Sequence, residues 1–265
     1  MGDLRYCFEQ EKVVKTLKAT RKKGLAVIDT EGISKSDIRS AISRGVFVYG
    51  YMNAGALEKG RPYYDAYSSL RIAAYDGWPG EYWVDVTARA WQTHLCDLAE
   101  DIRQTGAIGA YFDNPDIYYM AGHGFKGKAM RKSPSKEAVY KALANTINTI
   151  QQDIGLIVMP NGGEDFTKRF MRDYPGRIKT INQEGVLFED FKRQPSKEKK
   201  YRTEWCDWAR DHGAYVRIIE YPVEEPKTAK QKALYTARVA EIKAYCLKHR
   251  WGGVYVSKHT DLCGD

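Results

Sequence analysis

Carboxylates are the side chains of this sequence whose positions most suggest chemistry. Seven consecutive apolar runs each lead to an acid or an amide: Asp29, Asn53, Asp85, Asp113, Asn161, Glu189 and Glu220. One such ending is weak, but five acids in seven positions make a pattern. Gathered in one mouth they repel one another and cost stability. That cost is expected where acids bind cations or sugar hydroxyls, or transfer protons. Cleaving a glycosidic bond needs two of them. One carboxyl protonates the leaving oxygen, and the other attacks the anomeric carbon or activates water. Asp113 and Glu189, closing the fourth and sixth runs, are the expected pair. Neighbouring carboxyls raise each other's pKa, so one can hold a proton near neutral pH. Asp116 is either a sugar contact or a turn residue after Asn114-Pro115.

Other chemistries find fewer of their residues. The five histidines form no H-E-x-x-H pair and none ends an apolar run, which disfavours a zinc hydrolase. No G-x-S-x-G elbow is present. No metal and no cofactor are expected.

The elements that must hold these acids are short strands alternating with longer amphipathic stretches. The strands are expected at 24–29, 46–51, 82–86, 108–113, 156–159, 186–189, 214–220 and 253–256. Ser34 and Asp37 read as a helix start, and Ser133 with Pro134 as another. Trp91, Leu95, Leu98 and Ile102 form one helical stripe, and Val139, Leu143, Ile147 and Ile150 a second. A helix near 227–248 precedes the last strand. Alternating β and α units imply a parallel sheet. Eight of them in 265 residues imply a single (β/α)8 TIM barrel, spanning 1–265 as one domain, with an extra N-terminal helix before the first strand. In that fold the strand C-termini carry the reactive groups.

Composition sets the outer bounds. Aromatics are 12%, with 19 Tyr and 6 Trp, and these suit a large core or a surface for flat ligands. The net charge of +8 is spread along the chain without a nucleic-acid-binding signature, so no nucleic-acid partner is expected. No run approaches the ~18 apolar residues of a membrane span, so no membrane partner is expected either. Five cysteines with no C-x-x-C pair read as reduced thiols. A monomer is expected. No apolar leader is visible at the N-terminus, and the compartment stays open.

The motifs together resemble glycoside hydrolase family 114, the endo-α-1,4-polygalactosaminidases. The resemblance rests on Phe112-Asp-Asn-Pro-Asp116, Pro160-Asn-Gly-Gly-Glu164 and Phe188-Glu-Asp190. It rests also on Val27-Ile-Asp29, Tyr51-Met-Asn-Ala-Gly55 with Glu58 and Arg61-Pro-Tyr63, and Tyr82-Trp-Val-Asp85. It implies a barrel, a polysaccharide substrate, Asp113 as nucleophile and Glu189 as acid/base. It also implies that Asp29, Asn53, Asp85, Asn161 and Tyr221 line the sugar site. Tyr51, Asn114, Asp116 and Glu220, on these motifs and strand ends, complete the candidate substrate contacts. The alternative is a carbohydrate-binding barrel without turnover.

Three features depart from the family pattern. Gly55-Ala-Leu-Glu58 stands where the family often has Gly-Glu-Ala-Glu. Glu220-Tyr221 replaces Asp-Tyr, and a charged segment replaces the aromatic lead-in. Basic residues also crowd two loops beside the expected mouth: Lys126, Lys128, Arg131 and Lys132, then Lys192, Arg193, Lys197, Lys199, Lys200 and Arg202. If they face it, a neutral, N-acetylated or acidic polysaccharide is the expected substrate. If they are solvated loop tips, they say nothing about substrate.

Overall fold

The computed structural model describes residues 3–126, 129–260 and 262. Eight parallel strands organise it: β1 (Leu4–Cys7), β2 (Leu25–Ile28), β3 (Phe47–Asn53), β4 (Gly109–Asp113), β5 (Ile157–Pro160), β6 (Thr180–Glu184), β7 (Tyr215–Glu220) and β8 (Gly253–Val256). A helix crosses between each consecutive pair. These are α1 (Gln10–Ala19), α2 (Lys35–Ser43), α3 (Arg89–Thr105), α4 (Lys136–Thr149), α5 (Glu164–Asp173), α6 (Ser196–Asp211) and α7 (Ala229–Lys248).

Strands β1 to β5 form one parallel ladder in chain order. Strands β6, β7 and β8 form another. A parallel bridge between Asn161 and Asn182 joins the two. The described residues carry no ladder between β8 and β1. The α/β class and the parallel order are therefore as expected, while ladder closure is not seen.

Strand parity divides the core into two layers. Leu25, Val27, Tyr49, Tyr111, Met159, Ile219 and Tyr255 pack together on the inner side. Ala26, Ile28, Val48, Ala110, Val158 and Ile218 face the helices. The stripes of α3 and α4 pack on this outer layer, with Trp91, Leu95, Ile102, Val139, Leu143 and Ile147 all buried. The Trp91 indole nitrogen also donates to Ala54 O at 2.9 Å, tying α3 to the exit of β3. No helix among the described residues is long and apolar enough to cross a membrane. Cys206 and Cys246 are buried free thiols, Cys96 is a half-buried one, and Cys7 is buried. Cys263 and Lys128 lie outside the described residues.

Four elements differ from the sequence expectation. The N-terminal segment is not an extra helix before the first strand. It begins with β1, and α1 is the first crossover, because Leu4, Tyr6 and Cys7 are buried beside β2. The run at 82–86 is not a parallel strand. Glu81–Val84 pairs antiparallel with Ala56–Glu58 and Arg71–Ala74 in a side sheet, and β3 pairs directly with β4. The run at 186–189 is not the sixth strand; β6 ends five residues earlier, and Phe188–Glu189 forms a small hairpin with Lys192–Arg193. Finally, Ser135 rather than Ser133 caps α4, accepting from Ala138 N at 3.2 Å.

Candidate active site

The C-terminal ends of β3 to β6 surround a cavity of about 1040 Å³. Asp113 ends β4 in phase with Tyr111, and Glu184 ends β6 in phase with Asn182, so both point inward. Asn161 stands between them. Its Nδ2 donates to Asp113 Oδ1 at 2.9 Å and to Glu184 Oε1 at 2.7 Å, one proton each.

The orientation of that amide is fixed by a chain of donors. Asn161 Oδ1 accepts from Asn182 Nδ2 at 2.6 Å. The other Asn182 proton goes to the Tyr111 hydroxyl at 3.1 Å, and Asn182 Oδ1 accepts from the Tyr6 hydroxyl at 2.7 Å. A flipped Asn161 would set its oxygen against two carboxylates, so the network holds the productive orientation. The Tyr221 hydroxyl donates to Glu184 Oε2. The Tyr51 hydroxyl lies 3.2 Å from Asp113 Oδ2 and 2.7 Å from Glu58 Oε1.

These partners are neutral, and the carboxyls respond. Desolvation pushes Asp113 up to about 7, against the lowering effect of Asn161 and with a raising push from Glu184. Desolvation also raises Glu184, opposed by its bonds from Tyr221 and Asn161. Asp116 rises to about 7 through desolvation, then through Glu164 and Asp113. Glu81, paired across the side sheet with Glu58, rises to about 8 through desolvation and then Glu58.

The loops that shape the cavity need special backbone. Asn114 takes φ 58°, a left-handed conformation that Asn tolerates. Gly163, at φ 58°, packs so closely that an added Cβ would stand 2.4 Å from Pro115 Cγ. Its N–H donates to Asp116 Oδ1 at 3.2 Å, clamping the β5 loop onto the β4 loop.

Not all the expected site residues gather here. Tyr51, Asp113, Asn114, Asp116, Asn161 and Glu189 line the cavity. Glu189 reaches it from the hairpin, where its Oε2 takes Gln194 Nε2 at 2.6 Å and Arg202 Nη2 at 3.0 Å. Tyr221 stands behind, holding Glu184. Asp29 is buried beside a smaller neighbouring cavity, bound to Arg61 at 2.5 Å, and Asn53 beside it receives the Asn114 amide at 3.0 Å. Asp85 does not line the main cavity: it takes the Thr87 hydroxyl at 2.5 Å and Arg131 at 3.2 Å. Glu220 faces the helix layer, fully buried, and accepts from Leu187 N at 2.9 Å and Phe188 N at 2.7 Å. It pins the hairpin and does not enter the mouth.

Glu184, Glu81 and Glu164 line the cavity and were missed by the sequence reading. The signal for Glu184 was its place two residues after Asn182, in phase across a short strand.

The charge of the cavity also runs against the basic loops. Nine carboxylate residues line it against three cations, Arg61, Lys197 and Arg202. Of the other basic loop residues described, Lys126 pairs with Asp76, Arg131 with Asp85, Arg193 with Glu241 and Lys200 with Glu204, all away from the lining.

The sequence profile of glycoside-hydrolase family GH114 matches residues 6–263. The chain belongs to this family. No curated protein matches it. Among solved structures, the glycoside hydrolase domain of PelA from Pseudomonas aeruginosa superposes with a TM-score of 0.73 at 15% identity, covering 97% of this chain and 95% of that one. Aspergillus fumigatus Ega3, solved in complex with galactosamine, gives a TM-score of 0.63 at 19% identity, covering 88% and 82%. An α-galactosidase from Thermus thermophilus gives 0.57 at 9% identity, covering 96% of this chain and 57% of that one. At these identities the likeness is one of fold, and it is shared with glycosidases. As a GH114 member the chain is a glycosidase.

Proposed function

We propose that this GH114 chain cleaves α-1,4-linked galactosamine polymers internally and with retention, using Asp113 as nucleophile and Glu184 as acid/base. The observation that carries this reading is the single Asn161 amide between the two carboxyls. Its bonds of 2.9 and 2.7 Å keep the two acceptor oxygens within about 6 Å of each other. Retaining pairs stand about 5–5.5 Å apart and inverting pairs about 6.5–9.5 Å, so the shorter class is favoured.

The chemistry follows from the environment. Desolvation raises both carboxyls and takes Asp113 to about 7, so burial favours a proton on the pair. In the reactive form Glu184 carries that proton and gives it to the leaving oxygen. Asp113 bonds to the anomeric carbon as the glycosidic bond breaks. Water then attacks that carbon, passes a proton to Glu184, and returns Asp113 as carboxylate. Tyr51 and Asn161 steady the Asp113 charge.

The substrate reading rests on charge. A deacetylated galactosamine chain is a polycation, and the cavity lining is rich in carboxylates. The galactosamine bound in Ega3 is in keeping with this. A closed (β/α)8 barrel is part of the same proposal. It is supported by the Tyr6 and Tyr255 rings, 5.2 Å apart between β1 and β8.

Glu189 gives a second reading of the acid/base, because it lines the same cavity. Its Oε2 is already taken by Arg202 and Gln194, which leaves it less free to reach a substrate oxygen. Reducing ends released from a galactosamine polymer separate the readings. Asp113→Asn and Glu184→Gln are each expected to lose about 10³-fold in kcat/KM, and Glu189→Gln under about tenfold. The reverse ranking of the two glutamates would transfer the role to Glu189. Polymer binding without reducing ends would make the chain a carbohydrate-binding protein.

A further inference from the structure

The cavity rim carries large aromatic side chains that the fold does not bury. Trp78, Tyr119 and Tyr201 are 50, 47 and 48% exposed, and all three line the cavity. The remaining exposed aromatics, Phe47 and Tyr215, lie elsewhere, and Tyr215 is occupied by Gly252 O and the Arg217 guanidinium. Tyr119 has one face covered by His123, with ring centroids 3.8 Å apart. Trp78 and Tyr201 have no stacked ring among the described residues.

Neither side chain is there by accident of a loose loop. Trp78 sits in the turn joining Arg71–Ala74 to Glu81–Val84. Trp78 N donates to Tyr75 O at 3.3 Å, and Glu81 N donates to Trp78 O at 3.1 Å. Gly77 and Gly80, at φ 88° and 93°, make that turn possible. Tyr75, stacked on Trp83 at 4.1 Å, continues the wall inward, and its hydroxyl donates to Asn114 Oδ1 at 3.1 Å. Tyr201 rides on α6, a regular helix of 16 residues. Both rings are therefore held in place while their surface stays wet, and exposed aromatic surface gathered on the rim of one cavity marks a binding surface.

Their positions bracket the reacting pair in strand order. The turn bearing Trp78 leaves the chain after β3, before the strand of Asp113. The helix bearing Tyr201 begins after β6, beyond Glu184. Resting on the galactosamine-polymer reading above, we propose that Trp78 and Tyr201 are stacking platforms for sugar units on the two sides of the cleaved bond. Sugar rings present flat C–H faces that pack on aromatic faces, and acids between the platforms take the polar groups. Platforms on both sides would hold a chain that continues in both directions, which is the geometry of internal cleavage.

The test compares a long galactosamine polymer with a short oligomer too small to reach either platform. In Trp78→Ala and Tyr201→Ala, KM for the polymer is expected to rise about tenfold. Early products should shift from a spread of lengths toward chain-end units. The loss in kcat/KM should be several-fold larger on the polymer than on the short oligomer. Trp78→Phe should recover most of the KM, which a merely structural loss would not. Unchanged polymer KM and product spread in both alanine variants, with normal thermal melting, would overturn the proposal. Loss on the short oligomer equal to that on the polymer would also overturn it. A wild-type enzyme inactive on every galactosamine substrate would remove the underlying reading instead, and the platforms with it.

Discussion

The acids of this molecule fall into two regions that differ in what neutralises them. On the β2 and side-sheet flank, Arg61 alone holds three: Asp29 at 2.5 Å, Glu31 at 3.0 Å and Glu58 at 2.5 Å. Asp85 nearby has Arg131. On the β4–β6 flank, the hydrogen-bond partners of Asp113, Asp116 and Glu184 among the described residues are hydroxyls, amides and backbone N–H groups. The first set is held in ion pairs with arginine. The second is half-buried and takes no hydrogen bond from a cationic side chain among the described residues, and its carboxyls are pushed upward. An acid at a strand end is informative once its counter-charge is known; the sequence supplies the acid and the fold supplies the partner.

The contrast breaks first under substitutions that keep shape. On the uncompensated flank, Asp113→Asn is expected to remove about 10³-fold of activity while leaving the melting temperature unchanged or higher, since it removes a poorly solvated acid. On the compensated flank, Arg61→Met should act the other way. It strands three acids, costs about 3–5 kcal/mol and lowers melting by roughly 10 °C. Calorimetry beside a reducing-end assay reads both. A stable Arg61→Met protein would erase the distinction between the flanks.

Glu220 provides a smaller test. It belongs to neither flank, because it faces the helices and serves Leu187 N and Phe188 N. Glu220→Ala leaves two buried N–H groups without an acceptor and should cost about 1–3 kcal/mol. The hairpin carrying Glu189 should exchange its amide hydrogens faster. Unchanged protection at Leu187 and Phe188 would show that the carboxylate is not what pins them.

Much of this arrangement was legible in the sequence. Six of the eight runs fall on the parallel strands, and Asp113, Asn114, Asp116 and Asn161, taken from strand ends and motifs, line the cavity. The failures have physical causes. Strand β7 is apolar on both faces, with Val216, Ile218 and Ile219 all buried, so no alternation showed that Glu220 points outward and Tyr221 inward. Strand β6 is the reverse case. Thr180-Ile-Asn-Gln-Glu184 has one apolar residue, and the Val186-Leu-Phe188 run just after it looked more like a strand. Asn182 is buried all the same, because Tyr6, 176 residues earlier, meets its carbonyl oxygen. A partner that distant leaves no local trace. The side sheet holding Glu81 failed for a related reason, since Tyr82–Val84 reads as a strand but nothing in it says antiparallel.

The gentlest way to sharpen the contrast between the flanks is pH. Asp113 and Asp116 are raised to about 7 and Glu81 to about 8 in the folded chain, against about 4 for such groups when unfolded. Between those limits the folded state binds more protons than the unfolded one, so stability falls as pH rises from about 4 to about 8. Below about 4 both states are protonated and this contribution is flat. The melting temperature is therefore expected to decline from pH 5 to pH 8. The decline should be shallower in Glu81→Gln, whose amide no longer titrates. A galactosamine oligomer should oppose the trend while its ammonium groups stay charged, because they supply counter-charge to the β4–β6 flank. Its stabilising effect should grow from pH 5 to about pH 6.5, and be smaller at high salt. A ligand effect independent of both would mean that the sugar's charge is not what this cavity reads.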